Sequence, residues 1–158
     1  MGTVKNYLFI ALSLVALIAC TSCQSEEEME NNILDGYCWE GQLPIYNYGN
    51  EYYSRFYFES DGSGVEEVYI NGRHDSDYPF TWGWINGYYS VMQLKYGSRW
   101  NVSYSCINVI QVKDGVLTGY FYEDIQDFYY EYENGTSTSY TDRYVRLTAK
   151  TGVHRYNN

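Results

Sequence analysis

Few side chains in this sequence stand at spacings that chemistry can use. His74 lies in Arg73-His74-Asp75-Ser76-Asp77, where an imidazole among carboxylates would suit a general base or a metal ligand. No second histidine is near it, so a polar loop accounts for the segment better. Glu123, Asp124 and Asp127 offer the hard oxygen donors that calcium takes, but at the spacing of no calcium loop; an acidic turn between strands is the simpler reading. Glu66 and Glu67 are adjacent, and adjacent strand residues point to opposite faces, so they do not form a glycosidase dyad. Gly-x-Ser-x-Gly, Ser-x-x-Lys and a phosphate loop are all missing, and Asp61-Gly62-Ser63-Gly64 reads as a hairpin that opens no helix. No catalytic residue, metal or cofactor is assigned.

The chemical surplus is aromatic. The 158 residues include 21 Tyr, 6 Phe and 4 Trp, more than one small core can bury. A tyrosine pairs an apolar ring with a polar tip, which suits interfaces and stacking on sugars. Trp39, Trp82, Trp84, Tyr104 and Tyr120 are the candidate ligand contacts. The competing account is that tyrosines cover strand faces because aromatic residues favour strands. Charge narrows the partners: ten Lys and Arg against twenty Asp and Glu give −10. Nucleic acid is excluded, since phosphate contact needs clustered basic residues.

The first thirty residues carry an address. Lys5 precedes an apolar run, Leu8 to Ala19, too short to span a bilayer, which needs about 20 residues. It fits the apolar core of an export signal. The run ends in Leu17-Ile18-Ala19-Cys20, which resembles a bacterial lipoprotein lipobox. The resemblance implies cleavage before Cys20 and acylation of that cysteine, with residues 1–19 removed. Cys23 is the alternative: cleavage there removes the odd thiol and sets Gln24-Ser25-Glu26-Glu27-Glu28 directly behind the lipid. That acidic run resembles the surface-export signal of Bacteroidetes lipoproteins. Residues 20–34 are then a lipidated acidic tether. An exported location permits disulfides, so Cys38 and Cys106 are a possible bridge; otherwise they are buried thiols acting as small apolar side chains.

The body, residues 35–149, must position whatever chemistry there is. It reads as nine or ten short strands between turn signals: 37–43, 52–59, 65–70, 80–85, 89–96, 100–112, 116–122, 128–133, 136–140 and 144–148. Asn71-Gly72 opens a longer polar loop through Asp77. Asn134-Gly135 is a hairpin signal, since both residues tolerate positive φ. Alternation gives the expected inward sets: Phe56 and Phe58; Phe80, Trp82 and Trp84; Met92 and Leu94; Tyr104, Cys106 and Ile110; Leu117, Gly119 and Phe121; Val145 and Leu147. Residues 150–158 are a disordered tail. Tight turns in so short a chain favour an antiparallel meander, and closing it into a barrel of eight to ten strands removes exposed edges. A β-sandwich is the alternative.

Several segments resemble the lipocalin-like lipoproteins of the Bacteroidetes. Leu34-Asp35-Gly36-Tyr37-Cys38-Trp39 is similar to that family's Leu-x-Gly-x-Trp opening, with one residue more between Gly36 and Trp39. Phe56-Tyr57-Phe58-Glu59-Ser60-Asp61-Gly62-Ser63-Gly64 resembles its first hairpin, and Phe80-Thr81-Trp82 the strand that follows. Asp114-Gly115-Val116-Leu117-Thr118-Gly119 resembles its late turn, and Tyr144-Val145-Arg146-Leu147 its closing strand. The resemblance implies a calycin-type barrel in which Trp39 closes the first end and Arg146 covers a barrel end. The resulting expectation is a lipid-anchored binding protein on the bacterial outer membrane, surface-exposed, without catalysis. Its ligand would be a small apolar molecule, a glycan or a partner protein. The alternative is an accessory subunit of an outer-membrane assembly.

Overall fold

The structure is a computed structural model and describes residues 24–35, 38–45, 49–85, 87–88, 90–98, 101–135 and 142–152. Cys20, Cys23, the 1–19 segment and the 136–140 strand expectation lie outside these residues, as does the tail beyond Gly152. Eight antiparallel strands form one closed barrel in sequence order. They are β1 (Cys38–Gln42), β2 (Tyr52–Phe58), β3 (Ser63–Ile70), β4 (Arg73–Trp84), β5 (Val91–Ser98), β6 (Asn101–Lys113), β7 (Val116–Tyr122) and β8 (Tyr144–Lys150). β8 returns to β1, with Trp39 opposite Ala149. Among the described residues there are two helices, α1 (Glu26–Asp35) ahead of β1 and α2 (Ile125–Asn134) between β7 and β8. The fold is the expected meander barrel and is consistent with a lipocalin-like architecture.

Alternation divides the wall as the sequence implies for most strands. Trp39, Phe56, Phe80, Met92, Leu94, Leu117, Val145 and Leu147 are buried in one core. Glu40, Arg55, Glu67, Gln93 and Lys95 occupy the opposite register positions and stand outside. A barrel spanning a bilayer needs an apolar outer band, and this outer wall is charged.

β6 departs from expectation. Ser103, Ser105 and Ile107 pair with Tyr96, Leu94 and Met92, so they face inward, and Tyr104 and Cys106 face out. A register shift between Val109 and Gln111 leaves Ile110 half exposed, at 51%. Asn71-Gly72 also differs. It is a two-residue hairpin with φ of 50° and 77°, the positive angles of a primed turn, and Arg73 to Asp77 is strand rather than loop.

Both helices replace expected irregular or extended chain. Ser25 Oγ accepts from the Glu28 amide at 3.1 Å, an N-cap followed by three glutamates that favour the helix dipole. Met29 and Ile33, one turn apart, are buried in the barrel core. The acidic tether thus becomes a helix from Glu26 onward, and it plugs one end of the barrel. Trp39 Nε1 donates to the Ile33 carbonyl at 2.8 Å, so Trp39 does close that end, as the resemblance implies. In α2, Asp124 caps the start by accepting from the Gln126 amide, and Gly135 ends it at φ 61°, a left-handed helix stop. Ile125 and Phe128 pack with Val91, Cys106 and Tyr122 on the outer wall. The 128–133 segment is therefore helix and not strand.

The possible disulfide does not form: Cys38 and Cys106 are both free and buried. They sit on β1 and β6, three strands apart around the wall. At about 4.8 Å per strand that exceeds the ~7 Å between Cα atoms that a bridge tolerates. Burial pushes their thiols up to about 11 and about 12.

Candidate ligand-binding cavity

The barrel is packed at one end and open at the other. At the closed end the rings of Phe56, Phe58, Phe80 and Trp82 meet edge to face or stacked, with centroids 5.3–6.2 Å apart. The α1 plug and Trp39 complete this half. Toward the open end the inward side chains shrink and turn polar, to Ser54, Glu66, Ser103 and Ser105. A cavity of about 390 Å³ results, within the usual range for small-molecule sites. Leu43, Ile45, Val68, Ile70 and Phe121 give it apolar walls, and Tyr52, Tyr78 and Tyr96 add aromatic surface.

Glu66 forms the floor. It is cross-strand from Phe56, so its carboxyl rests on the aromatic layer, and only 8% of the residue is exposed. Ser54 Oγ donates to its Oε1 at 2.6 Å, and the Tyr96 hydroxyl lies against it. Burial pushes the carboxyl above its ordinary range, while the Ser54 and Tyr96 hydrogen bonds pull the other way. Burial, then the neighbouring Glu66 charge, hold Tyr96 well above its usual value, so Tyr96 remains a hydroxyl donor. Ser105 Oγ is the unfinished piece. It is buried and lies against the Tyr96 hydroxyl, close enough to act on it as a donor, without reaching full hydrogen-bond geometry to any side chain or backbone group. A buried hydroxyl without a full hydrogen bond costs free energy, and here it lines the cavity.

The expected ligand aromatics are elsewhere. Trp39, Trp82 and Trp84 belong to the closed-end core or pack against it, and Trp82 Nε1 donates to the Glu59 carbonyl at 3.1 Å. Tyr104 and Tyr120 stand on the outer wall, Tyr104 beneath Lys95 and Tyr120 edge-on to Tyr144. None of the five lines the cavity. Arg146 points outward and donates to Thr148 Oγ1 at 3.2 Å, so it covers no barrel end. Glu66 and Glu67 do point to opposite faces. Glu67, on the outside, accepts from Tyr57 and Tyr69 at 3.3 and 3.2 Å, with Arg55 3.9 Å away. This outer network accounts for part of the tyrosine surplus.

His74 Nε2 lies 2.7 Å from Asp77, edge-on to the Tyr69 ring, on a strand and not in a cleft. Asp127 pairs with Arg143 at 3.3 Å, and Asp124 is spent on its helix cap. No group of three or more metal-binding side chains occurs among the described residues. Two features of the cavity were open to sequence reasoning: Glu66 alternating with Gly64 and Val68 on the Phe56 face, and the serines at 103 and 105. No family model, curated protein or solved structure matches this chain.

Proposed function

We propose that this chain is a lipid-anchored binding protein of the bacterial outer membrane, a member of the lipocalin-like lipoproteins. In this reading it takes a small amphipathic molecule into the open end of its barrel without catalysis. The observation that carries the reading is the division of the interior. One half is filled by aromatic and aliphatic side chains, and the other holds a cavity whose floor has a buried carboxyl among hydroxyl groups. Such a site binds an apolar body and fixes it by a few polar contacts. The Leu-Ile-Ala-Cys20 segment supports the anchor, with Cys23 as its alternative, and the acidic run supports surface display.

Two measurements test this. Mass spectrometry of the mature N-terminus should find an acylated cysteine at position 20 or 23; an unacylated product removes the membrane assignment. Amide shifts in NMR titrations with small amphiphiles should concentrate at Ser54, Glu66, Tyr96 and Phe121 and spare the α1 plug. A panel of amphiphiles, sugars and fatty acids with no response would replace ligand capture by the accessory-subunit reading. The contact in that case would be the exposed Tyr130 of α2.

A further inference from the structure

We propose that the cavity selects an organic amine, a single ammonium group on a compact apolar body, with the ammonium seated between Glu66 and Ser105. The inference deepens the binding reading above and rests on it.

Charge decides the class. Three carboxylates line the cavity, Glu66 on the floor with Asp75 and Glu123, and no Lys, Arg or His is among the described lining residues. The whole chain carries −10, so its field also draws cations toward the mouth. A fatty acid or other anion would enter against all of these charges. A neutral sugar could pair with the serines and tyrosines of the lining, but it brings no positive charge to offset the buried Glu66 carboxyl.

Valence at the floor points the same way. A carboxylate accepts about four hydrogen bonds, and Glu66 receives those of Ser54 and Tyr96. An ammonium brings three donors and no acceptor. It would meet the lone pairs of Glu66 that Ser54 and Tyr96 leave free, beside Ser105, whose buried hydroxyl is held only by a loose contact with Tyr96. Tyr52, Tyr78 and Phe121 also line the cavity, and aromatic rings attract a cation that lies over their faces. A cavity of about 390 Å³ has room for one ring and a short chain.

Calorimetry on the full mature chain tests this with three ligands of one skeleton: 2-phenylethylamine, 2-phenylethanol and 3-phenylpropionate. The amine should bind at least about tenfold more tightly than the alcohol, and the acid least. Glu66→Gln should weaken the amine roughly thirtyfold or more, the loss typical when one partner of a buried charge pair is removed, and leave the alcohol unchanged. The ranking in the unaltered protein needs no variant, so a poorly folded Glu66→Gln chain does not remove the test. An alcohol or acid that binds as tightly as the amine overturns the amine inference and leaves the cavity as a binding site. So does an amine preference that survives Glu66→Gln. Failure of all three ligands to bind overturns both.

Discussion

Glu66→Gln should make the protein more stable at neutral pH, and the gain should depend on pH in a defined direction. The substitution keeps the shape of the side chain and an oxygen to accept from Ser54, and it removes the charge. Burial holds the folded-state carboxyl above its ordinary value of 4.5, whereas the unfolded chain titrates near that value. Between the two values the folded state binds more protons than the unfolded state. Stability is therefore fully present below about pH 4.5 and is lost as pH rises through the folded-state value. One proton gives a slope of at most about 1.4 kcal/mol per pH unit. Tyr52, Asp75, Tyr78, Tyr96 and Glu123 also line the cavity, but they are present in both proteins and cancel in the difference.

The assay is urea unfolding of both proteins from pH 4 to 8. The stability difference, variant minus parent, should be small and flat at the acid end. It should then climb with a slope no steeper than about 1.4 kcal/mol per unit and level off. Each kcal/mol corresponds to a Tm shift of roughly 2–8 °C for a domain of this size. A difference that is constant across the range, or a variant less stable than the parent at pH 7, would refute the placement of Glu66 as a buried, desolvated acid. A group that lowers stability under working conditions is the kind kept for a ligand, since function commonly opposes stability at such sites.

The remaining expectations concern the scaffold. Cys38 and Cys106, pushed up to about 11 and about 12 by burial, should ignore a disulfide reagent at pH 8 in the folded protein and react fully in denaturant. Rapid labelling of either would mean the outer wall is open at that strand. Ile33→Ala should cost about 2–4 kcal/mol in urea unfolding, the usual loss for a fully buried aliphatic chain. A change under about 0.5 kcal/mol would return residues 26–35 to the status of a tether. Gly64→Ala should cost roughly 1–3 kcal/mol, because the added Cβ would overlap the Phe80 ring and sit 2.7 Å from the Tyr57 carbonyl oxygen. A neutral result would show that the aromatic layer has slack.

The legible parts of this fold are those where local chemistry and burial agree. Phe56, Phe58, Phe80, Met92, Leu94, Leu117 and Leu147 alternate with polar residues and do face inward. The first half of β6 reads backwards because both of its faces there invert the usual rule, whereas Ile107, Val109 and Val112 further on are ordinary core residues. Its inward serines line the cavity, and its outward Cys106 is covered by α2. Apolar residues therefore mark the outside there, and the shift at Val109/Gln111 adds a second error. The 73–77 segment is strand with both faces polar, so alternation carries no signal. α1 was hidden by its polarity, since only Met29 and Ile33 of its ten residues are buried, though Ser25 three residues before Glu28 is a capping-box signature. α2 was hidden by tyrosines, which read as strand-formers. Ile125, Phe128, Tyr129 and Tyr132 nonetheless stand at helical spacing. The cavity floor was missed for a related reason: a search weighted to aromatics finds the closed end, where Trp39, Trp82 and Trp84 stand.

The two ends of the barrel also fix its relation to the proposed anchor. Gln24 is clamped to β6 at the closed end, its amide donating to the Val112 carbonyl and its carbonyl accepting from the Val112 amide, both at 2.8 Å. The cavity mouth lies at the other end, beside Ile45, Ile70 and Glu123. If Cys23 carries the lipid, it is bonded directly to Gln24. If Cys20 does, three further residues add at most about 11 Å of chain. Under either assignment the closed end is held against the membrane and the mouth faces away from it. A ligand would then reach the cavity from the aqueous side and not by lateral transfer out of the bilayer. That geometry favours a water-soluble molecule over a membrane lipid as the occupant, and the charges around Glu66 then select among soluble molecules.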